Sequence, residues 1–256
     1  MAKVDDKTFN KWFNLFILIG MAVVTVVVTA IRFRDADSGR AMLLISAFGS
    51  LMGVLCTVLA ANGRILTFLF GLIDVTIYGA MCLTSARYGN AAMHLLYFLP
   101  MQFIGFFQWR KRGAGEGERV RARRLEGRGW LLYGAVFFVG LVVAYVVLAA
   151  LDKTEAAAAV RWLVLLDAFS MMCNILGQWL MSTAYMEQWI FWIGVNIASV
   201  AMWVLTLRQS PDSSYATIYV VKYAFYLLNS LNGLRIWLAL SRPDPAGKGA
   251  GQCLEI

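Results

Sequence analysis

Apolar runs alternate with short polar breaks along almost the whole chain. Eight of them, residues 12–31, 41–61, 65–85, 90–109, 130–151, 161–182, 189–207 and 215–240, match the roughly 20 apolar residues that a helix needs to cross a bilayer. Their apolar residues fall on every face instead of alternating at every second position, so the strands of a membrane barrel are a poor reading. In lipid the backbone must satisfy its own hydrogen bonds, and helices follow. The first run follows Lys3, Lys7 and Lys11, as a signal peptide would. Its apolar stretch exceeds the roughly 7–15 residues of a signal core, and it reads as a retained helix.

Composition agrees with this pattern. Of 256 residues, 60% are hydrophobic and 15% charged, against about 45–50% and 25% in soluble domains. That excludes a disordered chain, a nucleic-acid-binding domain and an ordinary cytosolic enzyme. The net charge of +8 is concentrated between the fourth and fifth runs, in Arg110, Lys111, Arg112, Arg119, Arg121, Arg123, Arg124 and Arg128. Positive loops stay in the cytoplasm, so this connection is predicted inside. Eight spans then put both termini inside as well. Lys3, Lys7, Lys11, Arg64, Arg242 and Lys248 fall on the same side, and Arg32, Arg34, Arg40, Arg87, Lys153, Arg161 and Arg208 on the other, an approximately twofold bias. The Gly, Arg and Glu mixture of the basic loop predicts a flexible segment that sets topology. Cys56, Cys82, Cys173 and Cys253 have no metal-site spacing, and His94 is the only histidine, so no metal or other cofactor is expected.

The chain carries an internal repeat. Gly105 and Trp109 near the end of the fourth run align with Gly233 and Trp237 of the eighth, and Gln102 then aligns with Ser230, beside Asn229. The third and seventh runs each follow a tight turn and carry an aromatic stretch and a glycine, Gly71 or Gly194. The predicted fold class is therefore an all-α integral membrane protein of eight helices. It comprises an extra helix (1–40), a three-helix bundle (41–110), the basic loop and a linker helix (111–158), a second bundle (159–241) and a tail (242–256). One intervening helix gives both bundles the same orientation, an arrangement that places a transporter's substrate between the halves near the midplane.

Polar residues inside lipid are costly and usually functional or paired. Asp74, Gln102, Asn174, Asn196 and Asn229 all fall near mid-depth, each on a different helix, and together suggest the lining of a small hydrated cavity. Trp189, Trp192 and Asn196 share one helical face, as do Asp167, Ser170, Asn174 and Gln178 on the sixth span and Lys222, Tyr226, Asn229 and Gly233 on the eighth. Flat indoles beside amides suit a planar polar ring or an organic cation. Trp189 also reads as an interfacial anchor, and Asn174 and Asn229 as helix-to-helix bonds. Asp167 and Lys222 read as a structural ion pair. Asp74, at mid-membrane, is neutral, bonded to a polar neighbour, or facing the cavity.

Several motifs carry a family resemblance. These are Gly177-Gln178-Trp179, Trp189-Ile190-Phe191-Trp192-Ile193-Gly194-Val195-Asn196, Phe70-Gly71 with Tyr78, and Tyr97-Phe98-Leu99-Pro100-Met101-Gln102 with Gly105 and Trp109. Over about residues 45–240 the chain resembles the PnuC family of vitamin transporters. The resemblance implies a bacterial inner-membrane protein that takes up nicotinamide riboside by facilitated diffusion, with a cytoplasmic kinase as functional partner that traps the product by phosphorylation. It implies a three-plus-one-plus-three core similar to that of SWEET sugar transporters. It also implies that Trp189, Trp192, Asn196 and Gln102 bind substrate. In this reading the ring stacks on Trp192, Asn196 and Gln102 read its carboxamide, and Asn174, Gln178 and Asn229 bond the ribose hydroxyls. Thiamine or riboflavin is the alternative cargo, and assembly as a homo-oligomer is left open. A rival of another class is a retinal-binding photoreceptor or pump that uses Lys222. A membrane-embedded enzyme lacks a nucleophile–base pair, and no phosphate-binding loop for ATP hydrolysis is present.

Overall fold

The computed structural model describes residues 6–35, 40–84, 88–115, 118–151, 158–209 and 214–242. The tail beyond 242, with Lys248 and Cys253, lies outside the described residues, as do Lys3, Arg87 and Lys153.

The described residues are helical wherever the apolar pattern predicts a span. The helices are α1 (Asp6–Asp35), α2 (Arg40–Ala61), α3 (Thr67–Thr84), α4 (Tyr88–Ala92), α5 (Leu99–Lys111), α6 (Gly127–Leu151), α7 (Ala158–Ser182), α8 (Gln188–Gln209) and α9 (Ser214–Leu240). Among the described residues six helices are long and apolar enough to cross a membrane, over Thr8–Phe33, Arg40–Ala61, Thr67–Thr84, Gly127–Leu151, Trp162–Ser182 and Gln188–Arg208. The predicted fourth and eighth spans are also helical, the eighth as α9. The fourth is interrupted: a π-helical stretch, Met93–Phe98, joins α4 to α5, and the Leu99 amide bonds the His94 carbonyl five residues back. Pro100 supplies the reason. It has no N–H to donate, and its ring crowds the carbonyl four residues earlier; a widened π turn relieves both.

Burial shows which faces meet lipid. On α6 the side chains of Leu131, Phe138, Val142 and Val146 are exposed, and α1 exposes Phe16, Ile19, Val23 and Val26. A continuous apolar exterior of this kind belongs in hydrocarbon. Inward, Ile17 and Met21 of α1 pack on Val54 and Val58 of α2, with Phe225 and Tyr226 of α9 beside them. α6 leans on α7 through Ala144, Ala168 and Met172. α2 and α3 pack together and on to α5; α7, α8 and α9 form a second group; the two groups meet where α2 touches α9 and α5 touches α7.

At one end of the bundle, the α2–α3 and α7–α8 turns have the same form. Gly63 has φ +66° and Ala184 φ +63°, a left-handed conformation that is ordinary for glycine and uncommon for alanine. Beside each turn a tryptophan from the opposite group inserts. Trp109 Nε1 donates to the Met181 carbonyl at 2.7 Å, and Trp237 Nε1 to the Ala60 carbonyl at 2.9 Å. Both indoles are fully buried, in one cluster with Phe68, Trp189, Met186 and Val120.

Val120 comes from the basic loop, which the sequence predicts to be flexible. Its described residues instead form an ordered strap. Val120 N donates to the Gly63 carbonyl, Arg121 N to that of Arg112, and Arg123 N to that of Ala184. Backbone groups buried under a bundle need partners, and the free carbonyls of the two turns provide them.

Candidate functional site

The polar residues gather around α9, which faces both helix groups. On the side of α2, α3 and α5, Gln102 is buried and donates Nε2 to the Phe98 carbonyl at 3.2 Å. Its Oε1 has no hydrogen-bond partner among the described residues and lies 2.5 Å from where a Cβ on Gly71 would stand, with Cys56 Sγ at 3.1 Å from the same point. Asp74, one turn along α3, rests its carboxylate against Gly53 of α2, 2.9 Å from the corresponding Cβ position. Asn229 donates Nδ2 to the Thr57 carbonyl at 3.1 Å, and its Oδ1 is buried without a partner.

On the side of α7 and α8, Asn196 donates to Ser230 Oγ at 2.9 Å, and Ser230 donates to the Tyr226 carbonyl. Trp192 lies across Gly177, 3.2 Å from its Cβ position, and Trp189 across Gly233 at 2.5 Å. Trp189 Nε1 is buried without a partner, and its ring stands 6.3 Å from that of Trp237. Gln178 donates to Ser182 Oγ, which donates to the carbonyl of Met101, next to Gln102. Ser230 and Asn229 are adjacent on α9, so the two halves of the polar group meet there.

Most of the predicted site residues therefore share one interior region. Asn174 does not join it by any bond among the described residues: its amide folds back on the Ser170 carbonyl at 2.8 Å. The suggested Asp167–Lys222 pair also changes. Among the described residues the two form no ion pair, and Lys222 Nζ stands 5.9 Å and 5.7 Å from the ring centres of Tyr219 and Tyr226. Lys222 lines a cavity of about 290 Å³ between α1, α2 and α9, together with Arg32, Ser46 and Ser50. The indoles do not line that cavity, so Lys222 is not placed among the tryptophans as a retinal site would require. Among the described residues no group of His, Cys, Asp and Glu is arranged to hold a metal ion.

Sequence reasoning missed Ser230, Ser182 and the α2 residues Cys56 and Thr57. Small hydroxyls and thiols inside apolar runs look like core, and a backbone carbonyl acceptor leaves no sequence signal. Outside the spans, burial holds the Tyr185 phenol above its ordinary pKa, with Arg123 over its ring acting the other way.

Comparison with known proteins places this arrangement. Residues 43–239 match the family model described as nicotinamide mononucleotide transporter. The chain belongs to this family. It is a multi-pass membrane transporter and not an enzyme, which removes the photoreceptor reading. The nicotinamide riboside transporter PnuC of Neisseria mucosa is 34% identical over 200 residues, 77% of this chain and 72% of that protein. The protein of the same name from Haemophilus influenzae is 31% identical over 241 residues, 93% and 96% of the two chains. The crystal structure of the vitamin B3 transporter PnuC superposes with a TM-score of 0.63 at 30% identity, covering 94% of this chain and 93% of that one.

Proposed function

We propose that this chain carries nicotinamide riboside across the bacterial inner membrane by facilitated diffusion, through alternating access around the α9 polar region. The observation that carries the reading is a set of buried polar atoms left unpaired inside a membrane bundle: Gln102 Oε1, Asn229 Oδ1 and Trp189 Nε1. An unsatisfied buried group costs about 1–3 kcal/mol, so such atoms point to a ligand that satisfies them. The pyridinium carboxamide stacks on Trp192 and bonds Asn196 and Gln102, while Gln178 and Asn229 take the ribose hydroxyls, with Tyr226 beside them.

Charge favours the riboside over the mononucleotide. The amide and indole groups carry no positive charge that could neutralise a phosphate. Asp74 is the acidic side chain of the region, able to carry the sign that suits a pyridinium cation, and indole faces attract cations as well. Thiamine is also cationic and riboflavin is not, so both belong in the test panel.

The two matched turns, the crossed Trp109 and Trp237 bonds and the paired contacts Phe68–Gly105 and Trp189–Gly233 support two parallel three-helix repeats joined by α6, with eight spans in all. The contacts equate Trp189 with Phe68, so the repeat is read from contacts made and not from Gly71 and Gly194. The basic strap end faces the cytoplasm, with both termini on that side, and phosphorylation there by a kinase would make uptake net.

Calorimetry with nicotinamide riboside, nicotinamide, thiamine, riboflavin and sucrose tests the cargo. Riboside binding is expected. Thiamine binding without riboside binding would overturn the assignment. Uptake into proteoliposomes without an ion gradient tests passive transport.

A further inference from the structure

The strap does more than fill space. It hooks the same carbonyl of two equivalent turns, one from each helix group. Val120 N bonds Gly63 O at 3.0 Å on the α2–α3 turn, and Arg123 N bonds Ala184 O at 2.7 Å on the α7–α8 turn, answered by Met186 N to Arg123 O at 2.9 Å. Both acceptors are the left-handed residues of their turns. Further contacts reinforce the second hook. Leu125 N donates to Glu187 Oε1 at 3.0 Å, Arg124 Nε donates to Ser241 Oγ at the end of α9 at 3.0 Å, and Arg123 lies 4.4 Å over the Tyr185 ring. Arg112 Nε bonds the Arg121 carbonyl and fixes the strap to the end of α5. At the first hook the side chain of Val120, 1% exposed, seals the aromatic floor of Phe68, Trp109, Trp189 and Trp237. Trp189 belongs both to that floor and to the polar region above it.

We propose that residues 119–125 are the inner latch of the transporter: they hold the cytoplasmic ends of the two helix groups together, and each inward opening unhooks the α7–α8 turn from a strap that the Arg112–Arg121 bond keeps on the end of α5. The reason is geometric. A segment bonded to both groups cannot stay bonded to both when they separate. Three backbone bonds and a buried valine are a modest sum, because each intramolecular hydrogen bond contributes only about 0.5–1.5 kcal/mol net. A latch of that strength holds the closed state and still opens on the timescale of domain motions. Glu187, almost fully buried with its Oε2 unpartnered, is the positioning residue for the strap at Leu125.

The inference rests on the alternating-access reading above, and two measurements separate their failures. The first is a lock. Arg123 and Tyr185 form a bridge pair, so R123C/Y185C is made in a chain carrying C253S, and closure of the disulfide is followed by mass. Oxidised protein should bind riboside within twofold of the reduced form, while proteoliposome uptake falls at least tenfold and recovers with reductant. Fully cross-linked protein that transports at the reduced rate would overturn the latch. The second needs no substrate. In the same C253S chain, V120C should react slowly with a membrane-impermeant maleimide applied from the strap side, and adding Glu187→Ala should speed labelling at least threefold. Rapid labelling of V120C alone, or no change with Glu187→Ala, would also overturn it. Loss of riboside binding in both redox forms, with labelling as expected, would count against the cargo and leave the latch standing.

Discussion

At the residue scale, the proposed site rests on a few side chains whose partners come from other helices. Asn196 is held by Ser230 at 2.9 Å, and Trp192 lies flat on Gly177. Asn196→Ala and Trp192→Ala should each weaken riboside binding by about tenfold or more, which corresponds to ~1.4 kcal/mol, with calorimetry as the check; parent-like affinity in both would refute the site. Asp74→Asn should weaken binding of the cationic riboside and leave a neutral dihydropyridine riboside within twofold, a comparison that isolates charge from shape. The amides, the carboxylate and both tryptophans were legible in the sequence, because polar groups at mid-depth in apolar runs stand out. Their partners were not. Ser230 and the carbonyls of Thr57 and Met101 are chosen by helix rotation and contact, which periodicity does not specify.

At the scale of elements, two contacts set how α5 and α9 dock. Phe68 lies on Gly105 and Trp189 on Gly233, each within 2.5 Å of a Cβ position. Gly233→Ala should therefore push Trp189 out of place, lowering both thermal stability and riboside affinity. These two glycines admit large aromatic side chains. The crossed indole bonds make a paired prediction. Trp109→Phe and Trp237→Phe each remove one buried N–H donor and leave a carbonyl unpaired, at a cost of about 1–3 kcal/mol each. Similar falls in melting temperature for the two variants would bear out the equivalence of the repeats, and a large effect in only one would count against it. The span boundaries followed the apolar pattern closely, while the π turn before Pro100 did not show in it: a single proline marks a disturbance but not how the helix absorbs it.

For the whole molecule, charge asymmetry predicts the side on which the strap lies. An impermeant thiol reagent applied to intact cells should leave a cysteine placed at Arg121 unlabelled, and should label it in inverted vesicles. The reverse pattern would invert the topology. The sequence by itself determined that this is a helical membrane protein and where its helices run, because hydrocarbon punishes every unpaired polar group and charge so strongly that composition and pattern carry the answer. Only the tertiary structure decided that the arginine-rich loop is an ordered strap, that Lys222 stands against the rings of Tyr219 and Tyr226, and that Asn174 turns back on its own helix. The strap depends on which surfaces of distant segments come within about 3 Å, the range over which a hydrogen bond forms. Local pattern does not encode that proximity.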